Sequence, residues 1–290
     1  MKLAIKFNLV FLVVFVAGLA SAAYVSRNLL VRNAREETLQ NARLIMETAS
    51  ASRTYTNSQI APLLKAASQT TFLPQRVSAY AATEQLKLLH EKFPDYAYKE
   101  ATLNPTNLRD RAVDWEADIV NRFRQYSGQN EIVGDRETPS GPSLYLARPI
   151  HITDPTCLEC HSTVEAAPKS MIAQYGPANG FGWRLGDIIG AQIVNVPATI
   201  PLKRADAALF TFMAFLGTVL LVLLVALNVM LRVIVVNPVT RLAKVADDVS
   251  LGNMGAPDLP ARGRDELSLL AQSFNRMKKS LTHALKLLDE

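Results

Sequence analysis

Two stretches of the chain are apolar without a break, while the remainder is patterned. Between Lys6 and Arg27 twenty residues carry no charge, and between Asp206 and Arg232 twenty-five carry none. A helix needs about 20 residues to cross a hydrocarbon core, and both runs reach that length. The second has no Pro and only Asn228 as a strongly polar residue, so a transmembrane helix is predicted over 207–231. The first is predicted as a transmembrane helix over 7–26, behind a cytoplasmic N-terminus of 1–6. Lys2, Lys6 and the Ala20-Ser21-Ala22 triplet also suit a cleaved signal peptide. A helical pattern that continues past Arg27 favours the retained anchor, and both readings export the residues C-terminal to this run.

Between the two runs the periodicity changes. Over 28–58 a charged helix carries Val31, Leu39, Ala42, Ile45 and Met46 on an inner stripe, with Pro62 interrupting soon after. Further helices are predicted over 83–93 and 110–126, the latter with Trp115, Ile119 and Phe123 at four-residue spacing. Loops at Pro94-Asp95-Tyr96 and Asn104-Pro105-Thr106-Asn107 bracket residues 98–103. After Gly128, strands are expected over 131–135 and 143–152, paired around 137–142, and a third over 186–196. Helices first and a small antiparallel sheet later give an α+β domain over 27–206.

Residues 232–290 read differently again. After Asn237-Pro238 comes a helix with Leu242, Val245 and Val249 at alternating spacing. A longer seam lies beyond it, made of Leu267, Leu270, Phe274, Met277, Leu281, Ala284 and Leu288, with Asp265-Glu266 at its N-terminus. The Gly- and Pro-containing connector, 252–264, extends to about 43 Å, whereas a first helix of some fourteen residues is about 21 Å long. The connector can therefore return to the membrane side and leave the two helices parallel. Both seams are exposed in a monomer.

The net charge of +5 lies along the chain without a basic block or interleaved aromatics, so no nucleic-acid partner is implied. Charges flanking the two runs nearly balance and leave the orientation open. Chemistry enters with the only two cysteines, both within Cys157-Leu158-Glu159-Cys160-His161. This is the C-x-x-C-H pattern of c-type haem attachment. Two thiols three positions apart add to the two vinyl groups of one haem, and the next imidazole reaches the iron. Cys157 and Cys160 are thus the expected thioether anchors of a single haem c, and His161 its iron ligand. A Cys157–Cys160 disulfide and a zinc site built from His151, Cys157, Cys160 and His161 are the competing readings. The first lacks a thioredoxin-like strand and helix around it. The second must turn the adjacent Cys160 and His161 toward one tetrahedral ion. Haem c is attached outside the bacterial cytoplasmic membrane, which makes 27–206 periplasmic and 232–290 cytoplasmic.

The stretches Phe93-Pro94-Asp95-Tyr96-Ala97-Tyr98-Lys99-Glu100-Ala101-Thr102-Leu103-Asn104-Pro105, Asp114-Trp115-Glu116, Ala147-Arg148-Pro149-Ile150, the cysteine motif, and Gly180-Phe181-Gly182-Trp183 through Gly190 resemble periplasmic single-haem sensor domains of PAS-like fold. Pro238, the connector and Asp265-Glu266 resemble a HAMP domain. The resemblances imply a PAS-like sheet holding one haem, a redox- or gas-sensing role, and a parallel four-helix HAMP bundle formed by a homodimer. Some members of the haem family use a cysteine as second axial ligand, and this chain has no third cysteine. His90, His151, Met171 and Met46 are the candidates for that position; an open site for nitric oxide, carbon monoxide or dioxygen is the alternative. Arg53, Tyr55, Tyr96 and Trp115 are candidate pocket residues, with ordinary core packing the stronger reading for the aromatics.

No kinase, phosphate-binding or cyclase motif is found, and His283 lies in the second seam helix without a catalytic constellation. The chain is therefore expected not to be an enzyme and to signal through a separate cytoplasmic protein. The expected function is an inner-membrane haem c sensor of redox state or small gas. The alternative is a membrane-anchored periplasmic cytochrome serving a redox partner. A haem enzyme lacks a visible acid–base cluster.

Overall fold

The computed structural model describes residues 3–67, 71–261 and 263–289. The side chains of Lys2 and of the seam residue Leu288 lie outside the described set. By internal contacts the chain divides into two compact units, residues 27–208 and residues 1–26 with 209–290.

Helix α1 (Leu3–Tyr55) joins the first apolar run and the helix expected after it into one element. No Gly or Pro occurs between Gly18 and Pro62, so nothing in this stretch breaks a helix. A π-helical stretch, Thr56–Ile60, leads into α2 (Ala61–Leu64), where Pro62 cannot donate a backbone N–H to the preceding turn. The helix containing 5–64 and the one containing 199–250 are long and apolar enough to cross a membrane, and their most apolar windows are unburied.

In the 27–208 unit, β1 (Ala97–Thr102), β2 (Ile132–Thr138), β3 (Gly141–His151) and β4 (Ile188–Pro197) form one antiparallel sheet in the order β1-β4-β3-β2. The three expected strands are present, and β1 is a fourth that the pattern concealed. Its neighbours Lys99 and Glu100 point to opposite faces and are each taken by a partner. Lys99 Nζ donates to Glu116 at 2.6 Å, and Arg53 pairs with Glu100. Charges on both faces erase the alternation that marks a strand.

The register pairs Tyr98 with Val194 and Val194 with Leu146, so these residues share one face. Helix α1 covers that face, burying Ala42 and Met46 against Leu144, Leu146, Val194 and Val196. Its buried stripe is Ala34, Thr38, Ala42, Met46 and Ala49, mostly small residues that bring the helix close to the sheet. Helix α3 (Ser78–Lys92) packs Ala82 and Leu86 against Ala49. The opposite face carries α4 (Asp114–Gln125), whose Ile119, Val120 and Phe123 meet Ala101, Ile132, Ala147, Ala191 and Ile193. Glu116 fastens its first turn by accepting from the Val113 N–H at 2.9 Å. The result is the expected α+β domain.

Beside β1, burial pushes the Asp110 carboxyl up to about 6 despite the neighbouring Arg109. Between the unfolded value near 3.8 and about 6, the folded state holds the extra proton, so stability falls as pH rises through this window. Asp110→Asn is expected to stabilise the protein at pH 7 by about 1–2 kcal/mol, allowing for partial solvent screening, and not at pH 4. Urea unfolding of both proteins at the two pH values measures this; equal differences at both sink the expectation.

In the other unit, α7 (Thr199–Met230) continues through a π-helical stretch, Leu231–Val236, into α8 (Asn237–Ser250), and α9 (Glu266–Asp289) comes after the connector. The connector returns along α9. Ala256 O accepts from Lys278 Nζ, Leu259 exchanges two bonds with Asn275 at 3.0 and 2.9 Å, and Ala261 O accepts from Gln272 at 3.5 Å. Partners that descend in number as the connector ascends mean that it runs antiparallel to α9, which leaves α8 parallel to α9. Val245, Val249, Ala256, Leu259 and Ala271 form the core between them.

Candidate haem-attachment site

Beyond β3, Asp154 Oδ1 accepts from the Thr156 N–H at 2.9 Å and starts a 3-10 turn, Pro155–Cys157, that runs into the single turn α5 (Leu158–His161). Three positions apart on this turn, Cys157 and Cys160 lie on one side. Both are free thiols, half-buried. Burial pushes both thiols up, partly opposed by the positive charge of Arg53 at Cys157 and of Arg76 at Cys160.

His161 is held on two sides. Its Nδ1 lies 2.8 Å from Gly180 O and 3.4 Å from Thr106 Oγ1, and its ring stacks on Trp183 at 3.9 Å with 16° between planes. An Nδ1–H donated to the carbonyl fixes the tautomer and leaves Nε2 with a free lone pair, able to bind a metal ion. Burial depresses the imidazole pKa, opposed by the Gly180 bond, so the neutral form prevails. Backbone bonds reinforce the contact: Gly182 N donates to Ser162 O at 2.9 Å and Trp183 N to His161 O at 3.2 Å.

The loop after β1 sets this clamp. Asn104 Oδ1 accepts from Gly180 N at 3.1 Å, and Arg111 donates to Asn179 at 3.0 Å. Gly180 has φ +88°, and a Cβ there would collide with Thr106. Asn104 and Thr106 are therefore site residues that sequence reasoning treated only as a loop; the Asn-Pro-Thr-Asn run was the available signal.

Helix α1 brings Arg53 to the same side of the sheet. It pairs with Glu100, which also accepts from Tyr98 Oη at 2.8 Å, while Gln192 donates to Tyr98 Oη at 3.1 Å. Burial and the Glu100 charge hold the Tyr98 hydroxyl well above its usual range.

The other sequence candidates are dispersed. Met46 belongs to the core beneath the sheet, Met171 is buried in α6 (Lys169–Tyr175), and His151 is exposed at the end of β3. His90 Nδ1 contacts Tyr96 O at 2.8 Å in the turn before β1. Tyr55 is exposed, and Tyr96 packs with the α1-side core. Trp115 lies on the α4 face with Tyr145, across the sheet from α1, and so does not line the cysteine side. Among the described residues no group of three His, Cys, Asp or Glu side chains is arranged to hold a metal ion, against the zinc reading. Two unpaired thiols on one turn and an oriented imidazole fit a covalently attached haem.

A profile of the Tll0287-like family matches residues 31–197, and one of the HAMP domain matches residues 230–283. The sensor histidine kinase MtrB of Mycobacterium tuberculosis is 37% identical over 98 residues, 34% of this chain and 16% of that protein. Its counterpart in Mycolicibacterium paratuberculosis is 31% identical over 111 residues, 37% of this chain and 20% of that protein. The chain thus spans a fifth or less of the length of these relatives. The crystal structure of the cyanobacterial heme-protein Tll0287 is similar at 17% identity with a TM-score of 0.44, covering 56% of this chain and 95% of that one.

Proposed function

The chain belongs to the Tll0287-like family, and from that premise we propose that it is a membrane-bound haem c sensor of redox state or a small gas. One haem is attached through Cys157 and Cys160, with His161 on the iron. The state of these side chains carries the reading: the thiols are unpaired on one turn, and His161 Nδ1 is engaged by Gly180 O. A haem held there supplies a redox-active iron and, on an open side, a position for a diatomic gas.

The chain's own part is to hold and relay. Thr106, Gly180 and Trp183 fix the imidazole, and a displacement of His161 is passed to the segment that leads into β4. Ala198 alone separates β4 from α7. The 27–206 domain is periplasmic and residues 232–290 are cytoplasmic, so the movement enters the HAMP module. On α9 the seam residues Leu270, Met277 and Leu281 are 50%, 56% and 42% exposed, which supports a second copy completing a homodimeric bundle. The kinase relatives favour an output that works by phosphoryl transfer.

Spectra of membranes from cells that mature cytochromes c, oxidised and reduced, with and without carbon monoxide, test the haem. Absorption that stays with the chain on denaturing gels, and is lost in Cys157→Ala/Cys160→Ala, is expected. Disulfide crosslinking of Leu281→Cys between copies, compared across the same states, tests the relay. A normal protein yield without haem bands would overturn the reading, and crosslinking identical in every state would leave only an electron carrier.

A further inference from the structure

Glu100, Gln192 and Arg148 form one polar row across β1, β4 and β3, because Gln192 pairs with Glu100 on one side and with Arg148 on the other. Each lies two positions along its strand from Tyr98, Val194 or Leu146, so the row faces α1. One row further on, at Thr102, Gly190 and Ile150, the three strands reach the end of the sheet that serves the candidate site. From there β1 leads to Asn104 and Thr106, β3 to the cysteine turn, and β4 back to Gly180 and Trp183.

Helix α1 holds this row at both ends, with opposite signs. Arg53 pairs with the buried Glu100 on β1, and Glu47 accepts from Arg148 on β3 at 2.7 Å. Tyr98 Oη donates to Glu100 at 2.8 Å and accepts from Gln192 at 3.1 Å, so a bonded chain runs from α1 through β1 to β4. The Arg53 end is the one beside the site, where its charge acts on Cys157. The Arg148 end has a second partner in place: Arg148 also donates to Glu131 at 3.3 Å, and Glu131 accepts from Arg43 of α1 at 3.0 Å. If α1 moves along its axis, these ions exchange partners and none is stranded. Glu47 is open to solvent, and such a pair resists by only about 0–1 kcal/mol. Beneath the ions, α1 buries Ala34, Thr38, Ala42 and Ala49, whose small side chains interlock little, and Met46, whose unbranched chain adapts. An interface of this kind permits shear.

We propose, resting on the reading of a haem at Cys157, Cys160 and His161, that the polar row is a shear clasp between the sheet and α1. The state of the site moves Arg53 with Glu100, and α1 slides over the sheet as Arg148 passes from Glu47 toward Glu131. Because α1 is unbroken from Leu3 to Tyr55, the movement travels along the helix and is not absorbed in a hinge. The first apolar run thus receives a signal of its own, beside the one that β4 passes to α7.

Nitroxide labels on Leu44→Cys of α1 and Glu137→Cys of β2, both exposed positions, report the movement in the full-length, haem-loaded chain in nanodiscs. With Cys157 and Cys160 taken up in thioethers, only the introduced thiols accept label. The mean separation of the labels is measured by electron paramagnetic resonance in oxidised, reduced and carbon monoxide-bound protein. A difference of about 1–2 Å between at least two of the states is expected, the scale of helix shifts in switching proteins. Glu47→Lys sets a cation against Arg148 at an exposed position, and Tyr98→Phe removes the hydroxyl that joins Glu100 to Gln192. Each should abolish most of the difference while the haem spectrum stays that of the parent. A row that only fastens the fold would lower Tm in both variants and leave the difference intact, and that result overturns the clasp. So does a parent separation equal in all three states with haem present. Absent haem bands, with label on the native thiols as well, overturn the haem reading and the clasp together, so the two failures are told apart.

Discussion

Arg53→Met is expected to cost about 3–5 kcal/mol of stability, while the double variant Arg53→Met/Glu100→Met costs much less. Glu100 is 5% exposed, and Tyr98 is its remaining donor once the guanidinium is gone. A carboxylate stranded in that position is a buried charge without its partner, which opposes folding. Removing both partners removes the stranded charge, and a methionine pair refills much of the volume. Urea unfolding of the parent and three variants closes the double-mutant cycle. Equal losses in the single and double variants would mean that packing of the Arg53 stem, not charge, holds α1 to the sheet.

The second large effect is expected at Gly180. An alanine there must adopt φ near +88° and place its Cβ within 2.9 Å of Thr106 Cα, so the segment has to move. Strain and overpacking together should cost about 2–4 kcal/mol. The carbonyl that holds His161 Nδ1 moves with it, so the imidazole loses its fixed tautomer. A lowered Tm accompanied by a changed reduced-haem spectrum and a shifted reduction potential is the expected signature. A lowered Tm with an unaltered spectrum and potential would show that Gly180 matters for folding alone.

These two sites differ in how they announce themselves along the chain. The placement of Cys157, Cys160 and His161 was legible because it is local: the spacing itself brings two thiols and an imidazole to one turn. The clamp on His161 is not local. Asn104 and Thr106 reach it from the end of β1, more than 50 positions away, and only strand pairing between β1 and β4 brings them there. The helices α3 and α4 and strands β2 to β4 were visible because each keeps a period along its own length. Strand β1 was not, since its partners Arg53 and Glu116 come from α1 and α4. Trp115 took the stronger of its two readings, core packing; an aromatic at helical spacing reveals that it is inside, not which side of the sheet it faces. In the HAMP module, alternating three-and-four spacing and a connector long enough to return sufficed for its parallel arrangement. Asn275 and Lys278 as the tethers of that connector became visible only in the fold.

The charges that hid β1 have one more effect. The sheet is open, with β1 and β2 as its outer strands, and each outer strand carries adjacent ions: Lys99-Glu100 in the first, Asp135-Arg136-Glu137 in the second. On β2 the exposed Asp135 and Glu137 would have to be stripped of water by a strand from a neighbouring molecule seeking to extend the sheet. Edge-to-edge aggregation is thereby discouraged at that edge even where many copies crowd the same patch of membrane.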